Sequence, residues 1–211
     1  MTPRALTAAK VAVHALALTP LSLLGWRFWQ VFSEADIDAL GADPVAAIEH
    51  ELGLWALRFL LITLAITPLR QLTGQPWLLQ FRRMLGLYAF AYASLHLAAY
   101  LGLDLRGYWA QLFEEIVKRP YITVGFAAWL LLVPLAVTST RGWMRRLGRN
   151  WGRLHRLVYA IAVLAVLHFW WIVKSDYREP LLYATILALL LGWRLWKRLA
   201  KRPPRATSAS A

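Results

Sequence analysis

Residues 154–173 read LHRLVYAIAVLAVLHFWWIV, and this stretch is the strongest indicator of the fold class. No Lys, Arg, Asp or Glu lies between Arg156 and Lys174, and the side chains there are almost all apolar. A helix needs about 20 mostly apolar residues to cross a hydrocarbon core that is about 30 Å thick. The stretch therefore predicts a transmembrane helix that carries one histidine, His168, near its far end.

Five further stretches have the same character, at about 9–32, 50–69, 84–103, 120–138 and 180–197. Turn chemistry marks the breaks, because Thr67-Pro68 is predicted to end the second helix, whereas Pro120 and Pro180 open the fourth and the sixth. No internal repeat is evident. The chain is predicted to be an all-α, polytopic membrane bundle of six transmembrane helices over residues 1–200. The polar tail 201–211 is predicted to be disordered.

Composition supports a membrane protein, since 59% of the 211 residues are hydrophobic. The net charge of +13 would suit nucleic acid only if the basic residues gathered on a water-facing domain. They lie between apolar stretches instead, so membrane lipid is an expected partner and nucleic acid is not. The chain has no cysteine, which excludes disulfides and thiolate metal sites and leaves five histidines as the main metal-ligand candidates.

Charge patterning predicts the orientation of the bundle. In a six-span arrangement the basic clusters at 82–83, 141–156 and 194–205 fall on one side, and every Asp and Glu falls on the other. Lys and Arg near helix ends are retained in the cytoplasm. Both termini are therefore predicted to be cytoplasmic, in a bacterial inner membrane. An odd number of spans would mix the two sets of charges.

Two histidines are predicted to reach a similar depth. At 1.5 Å per residue, His96 lies about 20 Å beyond Arg83 and His168 lies about 18 Å beyond Arg156. Both helices are predicted to run outward, so both imidazoles reach the periplasmic half. Two facing imidazoles from separate helices are typical of six-coordinate heme b. The alternative is that each histidine packs and hydrogen-bonds to the backbone of a neighbouring helix.

His155 is predicted to lie at the cytoplasmic interface, about 20 Å from His168 along the same helix. That separation would suit a second redox centre. However, 13 residues place the two side chains on different helix faces, and the third helix offers Arg82 and Arg83 at the matching depth. His155 is therefore expected to ligate iron with another group, to contact a flavin, or to serve the interface only.

Arg58 is the most isolated charge in any predicted span, about 10 Å below the outer surface. This depth is close to that predicted for the two outer histidines. A guanidinium is well suited to hold a carboxylate, so Arg58 is a candidate to bind a heme propionate. The alternatives are that Arg58 extends outward to the interface or pairs with Glu51.

Several segments together are recognisable. They are RRMLGL at 82–87, KRPYITVG at 118–125, LAVTS at 135–139, LHRLVY at 154–159 and VKSDYREP at 173–180. In these segments the chain resembles the MsrQ family, also called YedZ, within the ferric reductase-like transmembrane superfamily. The resemblance covers nearly the whole chain apart from the polar tail.

The resemblance implies a membrane subunit that binds heme b and FMN. It also implies that the subunit delivers electrons to MsrP, a periplasmic molybdopterin-dependent reductase that repairs methionine sulfoxide in proteins. His96, His155 and His168 correspond to the heme-associated histidines of the family. Because the wider superfamily's nicotinamide and flavin domain is missing, the electrons are expected from a separate flavin reductase or from quinone. The basic segment 141–153 is a candidate FMN site on charge alone.

Other functions stay open at this stage. A quinone-linked cytochrome b could serve a different acceptor, and a proton-coupled transporter could use the same intramembrane His and Arg residues. A structural assembly subunit without a cofactor is a third alternative. The favoured interpretation is an electron-transfer subunit that need not bind the final substrate itself.

Overall fold

Helices make up the architecture of the protein. The computed structural model describes residues 1–105 and 108–200, with the backbone alone for 109–113. The α-helices in chain order are α1 Pro3–Phe32, α2 Pro44–Thr73, α3 Leu79–Ala99, α4 Trp109–Lys118, α5 Pro120–Val137, α6 Arg141–Leu147, α7 Arg149–Leu154, α8 Leu157–Ile172 and α9 Arg178–Ala200. A 3-10 turn precedes α3, and a π-helical turn follows it. The described residues contain no strand, which confirms the all-α prediction.

Within residues 1–105 and 108–200, five segments are long and apolar enough to cross a membrane. They are α1, α2, α3 with its flanking turns, α5, and the segment Arg149–Ile172 that contains α8. The chain is therefore a multi-pass membrane protein. The helix α9 has 23 residues, but charged residues near both of its ends shorten its apolar stretch. The sixth span and the cytoplasmic termini stay predictions, and the tail 201–211 lies outside the described residues.

Local capping explains where the first two long helices begin. The side-chain oxygen of Thr2 accepts a hydrogen bond from the backbone of Ala5, and that of Asp43 accepts one from Ala46. A proline follows each cap, at a position where its missing N–H costs nothing. Gly74 ends α2 with a φ of 69°, a conformation that glycine adopts without strain.

The prediction that Thr67-Pro68 ends the second helix is wrong, because α2 continues to Thr73. A proline inside a helix leaves the carbonyl four residues earlier without its usual donor. Here that carbonyl belongs to Leu64, and the guanidinium of Arg194 in α9 donates to it. A side chain from a distant segment thus supplies the hydrogen bond that Pro68 removes, and the helix continues.

Tyr92 of α3 ties α1 to the bundle beside a second proline inside a helix, Pro20. Its hydroxyl donates to the carbonyl of Ala17 over 2.7 Å and accepts from the backbone N–H of Leu21 over 3.2 Å. The hydroxyl therefore contacts two backbone groups of α1 that lie one helical turn apart. Pro20 lies between them. Tyr92 is almost fully buried, so this contact is sheltered from lipid and water.

Two helix pairs form the centre of the bundle, since α2 packs most extensively on α3, and α5 on α8. Contacts of α3 with α5 and of α2 with α8 join the pairs. Small buried residues, such as Ala89 on α3 and Ala162 on α8, let the helix backbones come close. The space between the two pairs contains the candidate site.

Candidate functional site

The imidazoles of His96 and His168 face each other across the space between the two helix pairs. Their ring centres are 6.1 Å apart, and the ring planes are inclined at 77°. His96 comes from α3 and His168 from α8. The structure therefore brings together the two histidines that were predicted to share a depth.

One nitrogen of each ring is already engaged. Nδ1 of His96 lies 2.8 Å from the carbonyl oxygen of Glu49, and Nδ1 of His168 lies 2.7 Å from that of Tyr121. A carbonyl only accepts hydrogen bonds, so each Nδ1 carries the proton and donates. The lone pair of each Nε2 is then free for a metal. Each histidine therefore makes the backbone hydrogen bond that was considered as the alternative to metal binding. That bond uses Nδ1 and leaves Nε2 available as a ligand, so the two roles are compatible.

Two glycines make room for these rings, and sequence reasoning missed both. A Cβ atom on Gly53 would lie 3.1 Å from Nδ1 of His96, and one on Gly125 would lie 2.6 Å from Nδ1 of His168. Each glycine is four residues after the carbonyl that accepts the histidine's hydrogen bond. The available signal is a glycine inside an apolar helix. Its meaning becomes clear only once the histidine that packs against it is known.

The two walls of the site repeat each other, which corrects the interpretation that the chain shows no internal repeat. In both pairs the histidine follows its carbonyl partner by 47 residues. A shift of 72 residues takes Gly53 to Gly125 and His96 to His168. The same shift relates other lining residues, namely Leu60 with Leu132, Ala89 with Ile161, and Ala93 with Ala165. The site therefore has an approximate two-fold arrangement that suits a ligand held equally from both sides.

A cavity of about 530 Å³ surrounds the two rings. Its walls are mainly apolar, including Leu57, Leu60 and Leu132. This volume lies within the range of about 300–1,000 Å³ that is typical of small-molecule and cofactor sites. The space is therefore large enough for an organic cofactor and is lined to exclude water.

The donor set fits heme. Two metal–imidazole bonds of about 2 Å, on opposite sides of one ion, place the ring centres about 6 Å apart. The observed separation of 6.1 Å agrees. Among the described residues no group of three or more His, Asp or Glu side chains could hold a bare metal ion. A two-histidine set needs further ligands, which a porphyrin supplies.

Two polar atoms at the cavity have no protein partner. The Glu49 Oε1 atom and the Tyr100 hydroxyl are buried and make no hydrogen bond within the described chain, and both residues line the cavity. Leaving a buried polar group unpaired costs about 1–3 kcal/mol. Both atoms are shielded from the open space of the cavity, so a bound ligand would reach them only after a side-chain movement.

His155 lies outside this cavity, at the C-terminal end of α7. Its ring stacks on Trp151, with ring centres 4.0 Å apart, and its Nε2 is 3.1 Å from the hydroxyl of Thr138. The indole of Trp151 in turn donates to the carbonyl of Thr138. The structure thus gives His155 an aromatic and a hydroxyl neighbour. Its role at a second redox centre or a flavin stays a prediction.

Arg58 also lies outside the cavity lining. Its Nε donates to the hydroxyl of Tyr183 over 2.9 Å, and its Cζ is 4.7 Å from the ring centre of Trp55. Glu51 forms an ion pair with Arg27 instead, at 3.3 Å. The alternative pairing of Arg58 with Glu51 is therefore not present, and the propionate role stays a prediction.

Comparison with protein families gives one match, to the ferric reductase like transmembrane component, over residues 52–166. That range contains α3, both cavity-lining glycines and His96, and it ends two residues before His168. No solved structure matches the chain.

Curated relatives match over almost the whole length. A protein of Xanthomonas euvesicatoria pv. vesicatoria, named protein-methionine-sulfoxide reductase heme-binding subunit MsrQ, is 72% identical over 214 residues, with 98% of each chain covered. A protein of the same name from Xanthomonas campestris pv. campestris is 74% identical over 208 residues and 95% of each chain. A third, from Caulobacter vibrioides, is 49% identical over 84% of this chain and 82% of its own.

Proposed function

This chain belongs to the MsrQ family of ferric reductase-like transmembrane proteins, and we propose that it binds heme b between His96 and His168 and passes electrons across the membrane. One observation carries the proposal. The two imidazoles face each other at 6.1 Å between ring centres, and each Nδ1 is occupied by a backbone carbonyl. Both Nε2 atoms are thereby left to bind one iron from opposite sides.

The protein's own residues prepare this site for electron transfer. The carbonyls of Glu49 and Tyr121 hold the two rings in one tautomer and one orientation, so few groups must move when the charge on the site changes. The apolar walls exclude water, which also limits reorganisation. When bound, heme supplies a one-electron iron couple. The chain contributes ligands, orientation and a low-dielectric surrounding.

We also propose a place for the chain in a repair system. The relatives are named as heme-binding subunits of a protein-methionine-sulfoxide reductase. The proposed acceptor is the periplasmic molybdopterin reductase MsrP, and the proposed location is the bacterial inner membrane. The charge pattern supports this direction, because it predicts that His96 and His168 lie in the periplasmic half of the bilayer.

Electron entry is proposed on the cytoplasmic side, from a flavin reductase or from quinone. His155, stacked on Trp151, lies in the basic cluster 141–156, which the charge pattern predicts to face that side. FMN is proposed as a second cofactor on the strength of the family resemblance. A quinone-linked cytochrome b that serves another acceptor would share the heme site and differ only in its partners.

Optical spectroscopy of the purified full chain tests the heme proposal. We expect a Soret band and, after reduction with dithionite, the sharp α band of low-spin heme b. Reduced protein mixed with purified MsrP should be reoxidised when methionine sulfoxide is supplied. A colourless protein after expression with ample heme would contradict heme binding. Heme that is never reoxidised by MsrP would instead favour a different acceptor.

A further inference from the structure

A second cavity, of about 600 Å³, opens at the other end of α2 from the histidine site. The C-terminal parts of α2 and α9 and the start of α8 form its walls. We call it the basic cleft. Its lining includes four cationic side chains, namely Arg70, Arg194, Lys197 and Arg198. The remaining lining includes Gln71 and two aromatic residues, Tyr159 and Trp193.

Within the part of the chain that the structure describes, no carboxylate side chain lines the basic cleft beside its cations. None of these cations belongs to an ion pair among the described residues. Arg70, Arg194 and Lys197 are each partly buried. Partly buried charges of one sign repel each other and lose hydration unless an opposite charge compensates them. This arrangement favours a bound anion.

Arg194 is fixed in position and cannot extend into water as a free surface arginine does. Its guanidinium donates to the carbonyl of Leu190 over 2.6 Å and to the carbonyl of Leu64, which Pro68 leaves without a backbone donor. It also lies over the ring of Tyr159, at 5.5 Å from the ring centre. The wall of the cleft therefore carries a positive charge that is built into the fold.

Aromatic side chains give the cleft an ordered apolar wall. The indole N–H of Trp193 donates to the side-chain oxygen of Gln71 over 3.1 Å, which links α9 to α2. Lys197 Nζ is 5.2 Å from the ring centre of Trp193 and 4.8 Å from that of Trp196. The ammonium group is thus held beside a flat surface. A ligand with both an anionic group and an apolar or planar part would use both features.

We infer that the basic cleft binds the phosphate group of a phosphate ester. Retention of Lys and Arg in the cytoplasm explains which side of the membrane the cations occupy, but it does not require a cavity or a pinned arginine. Two kinds of ligand carry such an anionic phosphate group. One is an anionic membrane lipid, through its headgroup, and the other is a soluble phosphomonoester. This inference does not rest on heme binding, because the cleft and the histidine site share no lining residue.

Two probe pairs distinguish the sources. In detergent, the purified full chain is titrated with flavin mononucleotide and, separately, with riboflavin, which has the same ring system without the phosphate. Quenching of flavin fluorescence reports binding. In the second arm, nanodiscs of phosphatidylglycerol or of phosphatidylcholine are compared, and native mass spectrometry counts the lipid that stays bound. Selectivity for the phosphorylated flavin identifies a soluble ligand, and selectivity for phosphatidylglycerol identifies a lipid.

Variants in which Arg or Lys is replaced by Gln locate the binding site. The double variant Arg70→Gln/Lys197→Gln should weaken binding of the selected probe by about tenfold or more. The single variant Arg198→Gln removes an exposed cation, so it should fold normally and weaken binding by a smaller factor. The variant Arg145→Gln/Arg146→Gln removes two exposed cations from α6, in the basic segment 141–153 that is the rival candidate site. It should leave binding unchanged when the phosphate lies in the basic cleft.

Three results would overturn the inference. The first is a wild-type chain that prefers neither flavin mononucleotide over riboflavin nor phosphatidylglycerol over phosphatidylcholine. The second is equal binding by wild type and by both cleft variants. The third is loss of binding in the α6 variant alone, which would place the phosphate on the basic segment 141–153. Thermal unfolding of each variant identifies any that fail to fold, and the Soret band reports separately on the heme proposal.

Discussion

Gly125 lies so close to His168 that a Cβ atom on it would be 2.6 Å from Nδ1 of the imidazole. Gly125→Ala should therefore push the ring away and break its hydrogen bond to Tyr121. Such overpacking typically costs about 1–3 kcal/mol. We expect a large loss of bound heme, measured as the Soret absorbance per protein.

Two other glycines provide the comparisons for Gly125→Ala. Gly53→Ala should have a smaller effect, because the corresponding distance to His96 is 3.1 Å. Gly86 is the control, since a Cβ there would meet only Thr63, at 3.8 Å. Gly86→Ala should keep full heme content. Equal heme content in the Gly125 and Gly86 variants would show that the close approach at His168 does not matter for the site.

Removing either facing histidine should abolish the main low-spin heme signal. His96→Ala and His168→Ala each leave iron with a single protein ligand in place of two. Reduced-minus-oxidised difference spectra of the purified variants measure the loss. An unchanged spectrum in either variant would remove that histidine from the ligand set.

His155→Ala should be milder at the outer heme, because His155 lies outside the cavity and contacts Trp151 and Thr138. We expect slower reduction by a cytoplasmic donor, with the outer low-spin spectrum retained. Stopped-flow reduction of wild type and variant makes the comparison. If His155→Ala erased the spectrum while His168→Ala preserved it, the assignment of the outer site would be wrong.

Arg58 is predicted to hold a heme propionate, although its Nε donates to Tyr183. Its terminal nitrogens make no hydrogen bond within residues 1–105 and 108–200, so they have donors to spare. Arg58→Ala should lower the heme midpoint potential, because loss of a nearby positive charge disfavours the reduced state. Arg58→Lys should give an intermediate shift. A redox titration measures both.

Tyr183→Phe is the matched control for Arg58, because it removes the hydrogen-bond partner and keeps the cation. It should leave the midpoint potential close to the wild-type value. A wild-type potential and full heme content in Arg58→Ala would make Arg58 a structural residue. In that case Tyr183→Phe and Arg58→Ala should reduce thermal stability by similar amounts.

Reporter fusions test the six-span topology, which requires α9 to cross the membrane. A reporter fused after Arg205 should indicate the cytoplasm, and reporters inserted near Asp38 or Glu114 should indicate the periplasm. Paired alkaline phosphatase and green fluorescent protein fusions give opposite signals on the two sides. A periplasmic signal after Arg205 would mean that α9 does not span the membrane.

Local features of the chain were enough to predict the class of protein and the position of its long helices. Apolar length and capping residues are local properties, so the predicted stretches overlap α1, α2, α3, α5, α8 and α9. The distance along a helix from a charged end is also local, because the rise per residue is constant. That is why His96 and His168 could be placed at one depth before their contact was known.

Contacts between distant segments became known only from the folded arrangement. The carbonyls that hold the two imidazoles, and the glycines beside them, come from partner helices 43 to 47 residues away. The helix α2 passes through Pro68 because Arg194, from the last helix, satisfies the carbonyl of Leu64. Arg58 meets Tyr183 for the same kind of reason. Such contacts depend on how helices pack against each other, and no local pattern of residues encodes that packing.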